Sequence, residues 1–169
     1  MKKIVLNFNI TRFFKFFLIL LMILTLAFTF YQSFKNQEES QQTSDKVEQI
    51  IEPIIPSDTP VGGYVHNNIR KIAHFVEFFA LGTEVGLYVM FFHRKFKFMG
   101  LSLLFAPIVA LIDETIQIFS DRGPAISDVW IDVLGYFVAA LAIYMIGFLT
   151  IKIRGAVVHT RASDEIGDS

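Results

Sequence analysis

No cysteine occurs among the 169 residues. That removes disulfide frameworks, Cys-ligated zinc or iron–sulfur centres and a thiol nucleophile. Charged residues are sparse at 18%, below the roughly 25% of an ordinary soluble domain. With 15 Lys and Arg against 16 Asp and Glu, the net charge is −1, so there is no basic footprint for nucleic acid. No Walker, GxSxG, CxxC or GxGxxG pattern is present, which argues against an ATPase, a serine hydrolase of the usual kind or a nucleotide-dependent dehydrogenase. No duplicated half is evident, so a repeat-built transporter would need oligomerisation. Apolar residues, by contrast, make up 53% of the chain, 19 of them Phe, and the mean hydropathy is +0.51. These proportions are those of an integral membrane protein.

Four apolar stretches stand out, at Phe13–Tyr31, Ile72–Phe92, Phe98–Phe119 and Val129–Ile151. Each holds about 20 residues, enough as a helix to cross a hydrocarbon core of about 30 Å. Lipid offers backbone groups no water to bond, so each is expected to be a helix, in an all-α polytopic bundle of the cell membrane. The first is too long for a signal-peptide core and has no small-residue cleavage site behind it, so it reads as a retained anchor. With the N-terminus inside, ten Lys and Arg lie on inner segments and five (Lys35, Lys46, Arg70, Lys71, Arg122) on outer ones. The positive-inside rule then puts both termini in the cytoplasm and loops 32–71 and 120–128 outside.

Within the long loop, Val47, Ile50, Ile51, Ile54 and Ile55 recur at helical spacing, with Asp45 and Glu48 placed as a capping pair. Pro53 works against a helix through the last two. A short amphipathic helix on the outer membrane face is expected, followed by a loop from Pro56 to Gly63. Divided by composition, the chain has an anchor at 1–34, an acidic outer loop at 35–66, a three-helix membrane domain at 67–155 and a disordered cytoplasmic tail at 156–169.

Ionisable residues inside a membrane cost roughly 2.5–3.5 kcal/mol each on insertion scales, so each needs a reason. His74, Glu77, Leu81 and Glu84 share one helix face, beside a Gly82–Gly86 pair that lets another helix approach. Ser102, Ala106, Ala110, Asp113 or Glu114, and Gln117 form a small and polar stripe in the third stretch, where Pro107 is expected to kink the helix. Gly123-Pro124 breaks the chain, Ser127 or Asp128 can cap the next helix, and Asp128 and Asp132 continue into Gly135, Ala139 and Ala142. Glu84 is expected to hydrogen-bond a neighbouring helix, and Trp130 to anchor at the interface. Arg70, Lys71, His74, Glu77, Asp113, Glu114, Gln117, Arg122, Asp128 and Asp132 thus converge on the outer leaflet as a polar pocket.

The segments R-K-I-A-H-F-V-E-F-F-A-L-G (Arg70 to Gly82) and D-E-T-I-Q-I-F-S-D-R-G-P-A-I-S-D-V-W-I-D-V-L-G (Asp113 to Gly135) resemble, in order and spacing, the motifs of the VanZ-like family. The resemblance covers about residues 60–150. Phe78 stands where Tyr is common, Glu84 is an addition near mid-membrane, and residues 1–59 carry none of the motifs. It implies a polytopic bacterial membrane protein with an envelope role, the name-giving member being associated with resistance to the glycopeptide teicoplanin.

Three uses of the polar cluster remain open at this point. It can bind an envelope lipid, a peptidoglycan precursor or a glycopeptide without transforming it. It can be a metal-dependent enzyme acting on a phosphate- or sugar-bearing lipid, with the carboxylates around a divalent cation and His74 as ligand or base. Or it can be an interhelical network, with Arg122 on Asp128 or Asp121, His74 on Glu114 and Gln117 on a backbone carbonyl.

Overall fold

A computed structural model describes residues 2–93, 95–122 and 126–167, with the side chains of 2–9, 96 and 154–167 left aside. Among the described residues there are only helices and turns: α1 Lys2–Ser33, α2 Gln37–Ile51, α3 Pro60–Asn67, α4 Ile69–Phe92, α5 Phe96–Leu103, α6 Phe105–Phe119 and α7 Ile126–Gly167. Four segments are long and apolar enough to cross a membrane: Ile10–Ser33, Ile69–Phe92, Lys97–Phe119 and Ile126–Ile153. The chain is therefore an all-α, multi-pass helical membrane protein.

The parallel helices α4 and α7 share the most extensive contact, α1 lies on α4 and α6, and α6 lies on α7. Phe78, Leu81, Val85 and Val89 of α4 meet Val109 and Ala110 of α6 and Tyr136, Ala140 and Tyr144 of α7 in the apolar core. Outside it, Phe13, Phe16, Leu24, Leu134 and Met145 are exposed, as side chains that face lipid must be. Trp130, also exposed, stands in the second turn of α7, where an interfacial anchor belongs.

Glycine sets the α4–α7 distance. A Cβ on Gly82 would overlap the backbone of Tyr136, and one on Gly135 would fall 2.5 Å from the Phe75 carbonyl oxygen. Gly86 is less tight, with the Ala140 Cα at 3.3 Å. Helices without a hydrophobic drive between them associate through such close backbone packing.

Pro107 breaks the third span rather than merely bending it. Lacking an N–H and crowding the carbonyl four residues back, it separates α5 from α6 at Leu104, whose N–H bonds back to Leu101 at 3.2 Å. Tyr136, fully buried, donates its hydroxyl to the Ser102 carbonyl at 2.8 Å. One α7 side chain thus satisfies a carbonyl beside the break.

Several local expectations are corrected. The loop helix α2 begins at an Asn36 cap, whose side chain accepts from the Glu39 N–H while Glu39 reaches back to the Asn36 N–H. Asp45 and Glu48 therefore lie inside α2, not at its start, because the Asn36–Glu39 box satisfies orphan donors two turns earlier. The second half of the segment read as a loop, Pro56 to Gly63, is the start of α3, capped by Thr59 with Pro60 in its first turn, a position where a missing N–H costs nothing. Ser127 and Asp128 sit inside the first turn of α7, which starts at Ile126. That helix continues to Gly167, through most of the stretch expected to be a disordered tail. The Gly123-Pro124 turn lies outside the described residues.

Gly82→Val is expected to destabilise the protein by about 1–3 kcal/mol through overpacking. Gly100→Ala, with open space around the added carbon, is expected to be neutral or stabilising by up to about 1 kcal/mol. Thermal unfolding in detergent checks both.

Candidate functional site

Polar residues gather at the end of the bundle that carries α2, α3 and the Asp121–Arg122 turn. Helix α4 supplies Arg70, His74 and Glu77, one turn apart on a single face, and α6 supplies Asp113, Glu114 and Gln117. Helix α7 supplies Asp128 and Asp132, four residues apart. His74, Asp113, Glu114, Gln117, Arg122, Asp128 and Asp132 are all buried.

Asp113 is the hub of this group and has no exposed surface. Ser33 of α1 donates to one of its oxygens, and Gln117 donates to the other at 2.6 Å. The Gln117 carbonyl oxygen in turn accepts from Arg70 at 2.9 Å, and Arg70 lies 3.8 Å from Asp128. His74 Nδ1 stands 3.2 Å from Asp132 Oδ1 and 3.9 Å from Asp113 Oδ2. His74 thus faces the two aspartates and not Glu114, which lies within electrostatic reach of Arg122.

The turn after α6 aims Arg122 inward. Ser120 ends the helix, Asp121 adopts a left-handed φ of 55°, and the Arg122 N–H returns to the Gln117 carbonyl at 3.1 Å. This is a Schellman-type ending with aspartate in the place glycine often takes. It leaves Arg122 buried, donating to the Gln32 carbonyl at 3.2 Å. The two expected partners of Gln117 and Arg122 are therefore replaced: Gln117 bonds side chains, and Arg122 bonds a backbone oxygen of α1.

A narrow crevice of about 60 Å³ opens above the cluster. Lys35, Arg70 and Arg122 line it with Ser40, Thr43 and Ser44 of α2, over a floor of His74 and Glu77. Lys35 donates to Thr43 at 2.9 Å, while Arg70 Nε and Arg122 Nε are buried without a hydrogen-bond partner among the described residues. Lys71, expected in the pocket, is exposed and does not line the crevice, since it follows Arg70 by 100° around the helix.

The first helix contributes more than an anchor. Thr25, Thr29 and Ser33 recur every fourth residue and face the polar residues of the other helices. Thr25 donates to Glu84 at 2.7 Å, Thr29 lies within electrostatic reach of Glu77 and Ser33 reaches Asp113. That 4-4 spacing of hydroxyls in an otherwise apolar run was a readable signal for a face turned towards protein. The bond from Thr25 gives Glu84 the neighbouring-helix partner expected for it.

A family model described as VanZ/LLP1 matches residues 14–148. The chain belongs to the VanZ-like family. The match takes in most of α1, all of α2 and α3, the next two spans and most of the last. No curated protein and no solved structure matches the chain.

In this VanZ-like chain α3 is tied to α2 by His66, a residue without a role in the sequence reading. Its side chain is 5% exposed, with Nδ1 3.0 Å from Glu48 and Nε2 3.1 Å from Glu52 and 2.9 Å from the Ile55 carbonyl. A neutral imidazole donates from only one nitrogen, whereas both nitrogens here face acceptors. The Ile55 carbonyl first, and the two carboxylates after it, hold the His66 pKa above its ordinary value. Ser57 donates its N–H and hydroxyl to Glu52, keeping that carboxyl below the usual range and charged.

A histidine whose folded pKa is raised stabilises fully below its unfolded pKa of about 6.5, and the contribution is lost as pH rises through the folded value. Amide protection over residues 37–67, with the intrinsic base catalysis of exchange divided out, is therefore expected to be greatest in mild acid and to fall as pH rises through the raised His66 pKa. His66→Gln is expected to abolish that fall.

Proposed function

We propose that both termini are cytoplasmic and that the crevice faces outward, where it binds the phosphate of an envelope lipid or lipid-linked precursor. Through that binding the protein contributes to teicoplanin resistance or tolerance. The Lys and Arg distribution supports the orientation. The observation that carries the binding reading is the pair of buried, unpartnered guanidinium Nε groups of Arg70 and Arg122 beside Lys35. A buried donor left open costs about 1–3 kcal/mol, and an anionic oxygen is the partner a guanidinium takes most strongly.

Size selects among the ligands. At about 60 Å³ the crevice suits a phosphate-sized group and not a whole glycopeptide, so a glycopeptide would be affected through its lipid-linked target. The serine and threonine hydroxyls of α2 add the neutral donors and acceptors that a phosphate ester needs. A second reading, a metal-dependent enzyme acting on a phosphate- or sugar-bearing lipid, draws on the His74, Asp113 and Asp132 side chains beneath the crevice.

Purified protein in a phosphate-free detergent is expected to bind short-chain phosphatidylglycerol in preference to the matching diacylglycerol, which lacks the phosphate. Arg70→Gln and Arg122→Gln should each weaken that binding about tenfold, equivalent to about 1.4 kcal/mol. In a strain lacking the chromosomal copy, wild type should raise the inhibitory concentration of teicoplanin, and the same variants at equal membrane levels should not. Equal binding of both lipids by wild type and variants would sink the headgroup reading. Turnover of the phospholipid, seen as a new product by mass spectrometry, would favour the enzyme.

A further inference from the structure

Beneath the crevice, three helices each bring one metal-competent side chain to a common point. His74 of α4, Asp113 of α6 and Asp132 of α7 are 8%, 0% and 2% exposed, and one donor atom from each lies within 4.8 Å of the other two. We infer that these three residues hold a divalent transition-metal ion, Zn²⁺ or Mn²⁺, with an exchangeable position towards the crevice.

Orphaned atoms point to the ligand. His74 Nδ1 and Asp132 Oδ1 are buried and make no hydrogen bond, although only 3.2 Å separates them. The distance suits an ion pair and the direction does not suit a hydrogen bond, so an imidazole nitrogen and a carboxylate oxygen face each other in the interior with no hydrogen bond among the described residues. An ion bound at about 2.0–2.2 Å from each ligand separates neighbouring ligand atoms by about 3–4 Å. The 3.2 Å and 3.9 Å separations from His74 Nδ1 fall in that interval.

Charge balance points the same way. Two carboxylates beside a neutral imidazole place two negative charges deep in the bundle, and a divalent cation neutralises them. Of the nearby guanidiniums, Arg70 is directed to Gln117 and Asp128, while Arg122 donates to the Gln32 carbonyl and offsets Asp113 only from a distance. Ser33 donates to Asp113 Oδ1 and Gln117 to Oδ2, the oxygen nearer His74, and outer-shell donors of this kind orient metal-binding carboxylates. One nitrogen and two oxygens suit Zn²⁺ or Mn²⁺, whereas Mg²⁺ and Ca²⁺ take oxygen shells of six or more. His74 also lines the crevice floor with Glu77, which places the open position on that side.

This inference concerns the ion alone and stands apart from headgroup binding. Full-length protein in a non-ionic detergent free of phospholipid, stripped with a chelator, would be titrated with Zn²⁺ and separately with Mn²⁺. The expected result is retention of about one ion per chain after desalting, with a rise in melting temperature that saturates. Asp132→Asn and His74→Gln should lose at least about tenfold in affinity while melting as stripped wild type does. His66→Gln should retain the ion, which separates the buried site from the surface histidine and its two glutamates. X-ray absorption on loaded wild type should show nitrogen and oxygen ligands with one imidazole, a readout that needs no variant to fold. No retained ion and no melting shift at millimolar metal would overturn the inference, leaving His74 as an imidazolium between two aspartates. So would retention undiminished in both variants, or absorption without an imidazole. Headgroup binding measured in chelator remains a separate result, so either reading can fail alone.

Discussion

In hydrocarbon, a polar side chain has only the protein to bond, and Asp113 shows how far that requirement organises this bundle. A carboxylate with no exposed surface is tolerated there because α1 offers Ser33, α6 itself offers Gln117, and α4 brings His74 within 4 Å. Each partner fixes a helix rotation. If α1 turned by a quarter, Ser33 would leave Asp113, Thr29 would leave Glu77 and Thr25 would leave Glu84, exposing three acids to lipid at once. The four spans are thus held in register by polar demands at one end, where unsatisfied groups cost most.

The other constraint is backbone proximity. Gly82 and Gly135 let α4 and α7 approach until a single added carbon meets main-chain atoms. That closeness makes it possible for His74 and Asp132, on those two helices, to stand 3.2 Å apart. Glycine packing and the polar cluster are therefore one design: the first sets a separation, and the second uses it. Pro107 serves the same end from α6, since the break at Leu104 lets Tyr136 close on the Ser102 carbonyl while Asp113 faces inward.

Function follows from the layering above this frame. Arginine and lysine donors line a small crevice, carboxylates and a histidine lie beneath it, and α2, tied to α3 by His66, forms one wall. Both the phosphate proposed for the crevice of this VanZ-like protein and the ion proposed for the trio below rest on that layering.

Much of this could be read along the chain. Span number, the single polar end and the family motifs depend on properties local to each segment: run length, hydropathy, and the spacing of Asp113, Gln117, Asp128 and Asp132. A period of 3.6 assigns a residue to a helix face, so His74 and Glu77 were legible as neighbours. It does not say which helix that face meets. Only the tertiary structure decided that His74 faces Asp132 and not Glu114, that Arg122 bends back to Gln32, that Lys71 falls outside the crevice and that α1 supplies three hydroxyls. Those choices depend on the rotation of each helix about its own axis, which is set by contacts between glycines and backbone, and by buried partners, far apart in the chain.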